Sequence, residues 1–147
     1  MCIRDRALPV QSAPNTILLG ENEPLLLKFV RTILERAGFR VLSAGTPEDA
    51  IRIERDYTGT IDLLLTGASM PRMSGLELAK ELKRRRPALR VMVMSSDPAA
   101  SDIARNYRWY FTEKPFLPSV LLGRIRNALG LDSEGPAASA FRLPTAS

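Results

Sequence analysis

The chain has 147 residues, 45% of them hydrophobic and 25% charged, with a net charge of +5. These are globular values; no apolar run approaches the ~20 residues that span a bilayer, and the opening "MCIRDRALPV" lacks the apolar centre of an export signal. One cysteine excludes a disulfide framework, and the absence of histidine excludes a Ser-His-Asp or Cys-His device, a His-ligated zinc and a phosphohistidine on this chain.

Residues 1–15 are expected to be a disordered leader. Its "MCIRDR" reads as a translated transposon end from sequencing-library construction, in which case Met1 is not the natural start, Cys2 is not a natural cysteine, and natural chain precedes them. The folded unit is expected over 16–130. "TILLG" (Thr16 to Gly20) is a short apolar strand, and Pro24 is placed in the first turn of a helix that follows. Along that helix Leu26, Phe29, Val30, Ile33, Leu34 and Ala37 recur at helical spacing as one buried face, and Gly38 supplies a left-handed stop. "RVLSAG" is a second strand, and "TPED" opens a second helix with Thr46 as N-cap.

"IDLLLT" (Ile61 to Thr66) is nearly all apolar, as for a strand covered on both faces. Ser74 and Glu77 form a capping box for a helix from Gly75 to Arg86, ended by Pro87. "RVMVMS" (Arg90 to Ser95) is the fourth strand, "DPAASDIARN" a weak helix, and "WYFT" (Trp109 to Thr112) the fifth strand. A last helix runs from Pro118 to Leu129 with Val120, Leu121, Ile125 and Leu129 on one face, closed by Gly130; residues 131–147 are expected to be a disordered tail. The basic cluster "KELKRRRPALR" (Lys80 to Arg90) has no interleaved aromatic on which bases could stack, so it is read as a solvated surface and no nucleic-acid partner is expected.

Strands alternating with helices predict an α/β fold: a five-stranded parallel sheet, doubly wound by right-handed crossovers. In such a sheet the ligand crevice lies beyond the carboxyl ends of the strands. Those ends carry Glu21, Asn22 and Glu23, then Gly67, then Ser95 and Ser96, then Lys114.

With these residues in place, the stretch Ile17 to Leu129 resembles the receiver domain of two-component response regulators, the CheY-like family. The resemblance rests on "ILLGENEP", "DLLLTGASMPRMSG", "VMVMSS" and "EKPF" in order, and its phrasing is most similar to receivers at the carboxyl end of hybrid sensor kinases. It implies the flavodoxin-like strand order 2-1-3-4-5 with five helices, and a cytoplasmic, bacterial, non-enzymatic signalling domain whose partner is a histidine kinase or another regulator. In that family a strand-end aspartate takes a phosphoryl group, acids after the first strand hold Mg²⁺ with it, and a hydroxyl and a lysine contact the phosphoryl oxygens; the transfer relies on positioning and positive charge.

Carried over by resemblance, Ser95 and Lys114 are the phosphoryl-contact positions, Phe111 is the switch aromatic, and Lys114–Pro115 is the cis-peptide candidate. Glu21 and Asn22 occupy the acid-pair positions, so one carboxylate has become an amide. Gly67 falls on the phosphoacceptor, which is thereby lost. Metal binding is then weak at most, and no other cofactor is expected. Lys114 has a plainer alternative, pairing with Glu21 or extending to water, and Ser95 another, bonding the adjacent backbone. Gly67 has a structural alternative, a turn that needs no Cβ.

The favoured expectation is a pseudo-receiver, a phosphorylation-independent interaction module. Its partner surface, or a homodimer contact, is expected on the face of the fourth helix, fifth strand and fifth helix, with an exposed Trp109–Tyr110 pair as anchor. The alternatives are an acceptor that uses Ser69 or Thr66 instead, and the carboxyl-terminal receiver fragment of a hybrid kinase. A flavodoxin-like nucleotide binder is disfavoured, because "GENEP" places carboxylates where a phosphate needs amides.

Overall fold

The computed structural model describes residues 14–131. The readings of Met1, Cys2 and the disordered ends lie outside these residues, apart from Pro14, Asn15 and Leu131. The chain alternates β1 (Thr16–Gly20), α1 (Pro24–Arg36), β2 (Arg40–Ala44), α2 (Pro47–Asp56), β3 (Leu63–Gly67), α3 (Gly75–Arg85), β4 (Arg90–Ser95), α4 (Pro98–Asn106), β5 (Tyr110–Glu113) and α5 (Pro118–Ala128). Every strand pair is parallel, as the alternation predicted, and the sheet order is β2-β1-β3-β4-β5, as the resemblance implied.

The two faces of the sheet explain the near-continuous apolar strands. Ile17, Leu19, Leu63, Leu65, Met92 and Met94 pack on one side against Val30 and Leu34 of α1 and Leu121 and Ile125 of α5. Leu18, Leu64, Val91 and Val93 pack on the other against α2, α3 and α4, through Ala50, Leu78, Leu82, Ala100 and Ala104. Strand residues that alternate between two buried layers must all be apolar.

Capping follows the local sequence. Thr46 accepts the Asp49 N–H at 3.0 Å, and Ser74 and Glu77 complete their reciprocal box. Gly38 and Gly130 turn the chain out of α1 and α5 at φ +97° and +74°. The weak helix after β4 is well formed over Pro98–Asn106, because Asp97 caps it by accepting the Ala99 N–H.

Some expectations shift. β3 begins at Leu63 rather than Ile61 and takes in Gly67, whose backbone pairs with Met94, so the glycine closes the strand instead of following it. β5 runs from Tyr110 to Glu113, one residue later than "WYFT". Phe29 and Val120, assigned to buried helical faces, are 47% and 40% exposed. Both lie outside the buried stripes of their helices, which are Val30 and Leu34 in α1 and Leu121, Ile125 and Ala128 in α5.

The basic cluster is not simply a solvated surface. Glu54, on α2's inner face near its carboxyl end, is buried and accepts Arg85 Nε at 2.7 Å and Arg86 Nε at 2.9 Å. Arg86 also donates to the carbonyls of Glu54, Tyr57 and Gly59, and Lys83 Nζ donates to those of Pro87 and Leu89. The end of α3 is thus bolted to the end of α2. Burial raises the Glu54 carboxyl's pKa, but hydrogen bonds from Arg86 and Arg85 and their charges outweigh it and hold the group below the usual carboxylate value.

Candidate functional site

Parallel strands that all point one way bring their carboxyl ends to one edge of the sheet, and the sequence-predicted residues meet there. β1 and β3 lie in register, Gly20 opposite Thr66, which sets Glu21 beside Gly67. β4 lies between β3 and β5, which sets Ser95 beside Glu113 and just before Lys114. The Lys114 N–H bonds the Ser95 carbonyl at 2.9 Å, and the Lys114–Pro115 peptide bond is cis.

At the centre is an ion pair. Lys114 Nζ donates to Glu21 Oε1 at 3.1 Å, while Glu21 Oε2 accepts the N–H of Glu23 at 3.1 Å. The Glu21 side chain is 3% exposed and that of Lys114 26%, so the pair closes the crevice with the lysine on the solvent side. Both carboxylate oxygens are satisfied, as a buried charge requires. The plainer of the two readings of Lys114, a pairing with Glu21, describes its geometry.

Gly67 leaves space beside this pair. A Cβ built on Gly67 would stand 2.7 Å from Glu21 Oε1, inside van der Waals contact. The Glu21 carboxylate therefore lies in the volume that a side chain at position 67 would enter. A second close approach lies behind it. A Cβ on Gly75 would stand 1.7 Å from the Gly67 carbonyl oxygen, and Gly75 donates its N–H to the Ala68 carbonyl at 2.8 Å. The first residue of α3 is seated directly on the end of β3, and the sequence signal for it was the glycine in "MSG", read only as a helix start.

The remaining residues are occupied locally. Ser95 is buried, and its hydroxyl accepts the Asp97 N–H at 2.9 Å. Thr66 is fully buried and donates to the Gly67 carbonyl at 2.9 Å; Ser69 is exposed. Asn22 and Glu23 are exposed beside the crevice. Among the described residues no cluster of three or more His, Cys, Asp or Glu is placed to hold a metal. The donor set does not fit Mg²⁺: its one buried carboxylate is already bonded to an ammonium, and Gly67 offers no side-chain oxygen.

The aromatic pair of the fifth strand divides. Trp109 is half-buried, packs against the α2–α4 side with Phe111, and stacks on Tyr107 at 4.5 Å between centroids, so it is not the exposed anchor expected. Tyr110 is 38% exposed. Residues 109 and 111 share one side of an extended chain and 110 faces the other, so both members of the pair could not be presented together. Beside the crevice, Leu26, Phe29, Ser96, Lys114, Pro115 and Phe116 line a groove of about 370 Å³.

Comparison with known proteins was made against this geometry. A family model described as Response regulator receiver domain matches residues 17–126. The chain is 26% identical over 121 residues to the sensor kinase CckA of Brucella abortus, covering 80% of this chain and 13% of that one. It is 30% identical over 117 residues to the DNA-binding transcriptional regulator NtrC of Azospirillum brasilense, covering 78% of this chain and 24% of that one. The chain thus spans only a part of these longer relatives. Among solved structures, the receiver domain of the hybrid histidine kinase CckA superposes with TM-score 0.67 at 28% identity, covering 78% of this chain and 99% of that one. A response regulator receiver domain protein from Clostridium thermocellum superposes with TM-score 0.71 at 25% identity, covering 79% and 94%.

Proposed function

The chain belongs to the response regulator receiver domain family, a family of two-component signalling, and from that premise we propose that it acts as a pseudo-receiver: a phosphorylation-independent protein-interaction module. The observation that carries this reading is the Glu21 carboxylate, held 3.1 Å from Lys114 Nζ in the volume beside Gly67. A phosphoryl group in transfer needs a nucleophile, a cation and a free ammonium. Here position 67 has no nucleophile, the carboxylates for a cation are reduced to Glu21, and the ammonium is engaged. The domain is not an enzyme in this reading, binds Mg²⁺ weakly at most, and works in the cytoplasm of a bacterium.

Its partner is a histidine kinase or another signalling protein, met on the face of α4, β5 and α5, where Ile103, Tyr107 and Tyr110 are exposed; a homodimer would use the same face.

The test is intact mass after incubation with Mg²⁺ and acetyl phosphate, beside a Gly67→Asp variant. The native chain should gain no phosphoryl mass, while the aspartate variant should gain one. A gain on the native chain would overturn the reading and direct mapping to Ser69, the exposed hydroxyl next to the gap, before the sealed Thr66.

A further inference from the structure

We propose that the edge of the sheet opposite the crevice is an arginine-lined docking site for an acidic protein segment. This surface lies outside the pseudo-receiver reading and does not rest on it. Parallel strands that end at the crevice all begin at the other edge, and each connecting helix runs back to finish there. β2 opens on Arg40 and β4 on Arg90, while Arg108 stands two residues before Tyr110, the first residue of β5. α1 ends on Arg36, and Arg55 lies in the last turn of α2. All five residues are exposed, and none of them forms an ion pair within the described residues. Basic residues at helix carboxyl ends ordinarily complement the negative end of the helix dipole, which accounts for Arg36 and Arg55. It does not account for Arg40 and Arg90, which open strands. Nor does it explain why Arg108 keeps a side chain at φ +61°, a backbone conformation that glycine adopts at less cost.

The chemistry of the occupant follows from the pattern. A guanidinium presents a planar fork that two carboxylate or phosphate oxygens can fill. The arginines are interrupted by acids: Glu35 precedes Arg36, Asp56 follows Arg55, and Asp62 stands just before β3. A phosphate chain carries a charge at every step and would set some of them against these carboxylates. A protein segment can place Asp or Glu opposite the arginines and neutral residues between them. β2 and β4 are three strand spacings apart, so the backbones of Arg40 and Arg90 are separated by about 14 Å. About four extended residues cover that distance, so one peptide with carboxylates at that interval reaches both. The crevice edge carries Glu23, Glu48, Glu77 and Asp97 at its helix starts, which turns an acidic partner toward the arginine edge.

Fluorescence anisotropy of a labelled Glu-Ser-Gly-Ser repeat peptide, titrated with the full chain at physiological ionic strength, tests this. The native chain should bind it, and binding should weaken as salt rises. Arg40→Glu combined with Arg90→Glu should weaken binding about tenfold or more. Lys28→Glu combined with Arg72→Glu makes the same change of net charge on the crevice half of the molecule. That pair should shift affinity by no more than about twofold, because exposed charges beyond ~8 Å are screened. If Arg40→Glu with Arg90→Glu fails to fold, Arg40→Gln with Arg90→Gln should show the loss instead, and unchanged binding there overturns the proposal. Equal loss in the arginine-edge and crevice-half pairs would show attraction to net charge alone and overturn it, as would no binding of the peptide by the native chain. Tighter binding of a mixed-sequence DNA duplex than of the peptide also overturns it, since the edge would then be a phosphate-binding surface.

Discussion

A methyl group added at Gly75 should cost the domain about 4 kcal/mol or more, measured as a shift of the urea midpoint for Gly75→Ala. Overpacking in a core ordinarily costs about 1–3 kcal/mol because side chains can yield. Here the new Cβ would stand 1.7 Å from the Gly67 carbonyl oxygen and 2.7 Å from Thr66 Oγ1. The first of these is backbone, and it belongs to a strand paired on both sides with others. Relief requires α3 to lift off β3, which breaks the bond from the Gly75 N–H to the Ala68 carbonyl and opens the turn between them. Against a total of roughly 5–15 kcal/mol, that leaves a marginal domain or an unfolded one. Gly123→Ala is the matched control. It lies inside α5 with nothing within 4 Å of its Cβ position, so alanine there should stabilise by up to about 1 kcal/mol through helix propensity. Equal effects at the two positions would refute the close-approach argument.

Glu54→Ala should cost about 3 kcal/mol. Removing one partner of a buried pair leaves the other charge uncompensated, which typically costs about 3–5 kcal/mol. The lower end applies because the Arg85 and Arg86 side chains, 35% and 24% exposed, can partly rehydrate. The loss should also be pH-dependent. Since the carboxyl's pKa in the folded chain lies below its ordinary value of 4.5, its contribution is fully present above that value and is lost as pH falls through the lower folded one. The native protein and Glu54→Ala should therefore converge in stability in strong acid and differ most near neutrality. A constant difference from pH 7 down to pH 2 would show that the deficit comes from lost packing and not from the charge.

How far the sequence reaches is clear from these residues. Apolar runs, the Thr46 and Ser74 caps, and Gly38 and Gly130 each act through neighbours a few positions away, so the order of elements could be read directly. The crevice residues could be gathered because parallel strands put their ends on one edge, and that requires only topology. Glu54 was legible in principle: it falls four residues after Ala50, on the face that Pro47 begins, and a charge on a buried stripe needs a partner. Its partners lie more than 30 residues on, and nothing local to "KRRR" selects Arg85 and Arg86 for them. The seat of Gly75 on the Gly67 backbone and the place of the Glu21 carboxylate beside position 67 depend on contacts between different elements. Those are set by the packed sheet, not by spacing. Trp109 was misplaced for a smaller reason: successive residues of an extended chain face opposite sides, so Trp109 goes inward with Phe111 while Tyr110 faces out.

The stack of Trp109 on Tyr107 makes the molecule its own optical instrument. The chain has one tryptophan, so all indole emission arises at the corner where α4 meets β5. Trp109 precedes the first residue of β5 and Lys114 follows the last, which at about 3.3 Å per residue separates their backbones by up to roughly 16 Å. A protein seated on the α4–β5 corner should change the colour and lifetime of that emission, whereas one seated on the groove beside α1 should leave both as they were. A single fluorescence titration, with no label attached, tells the two faces apart.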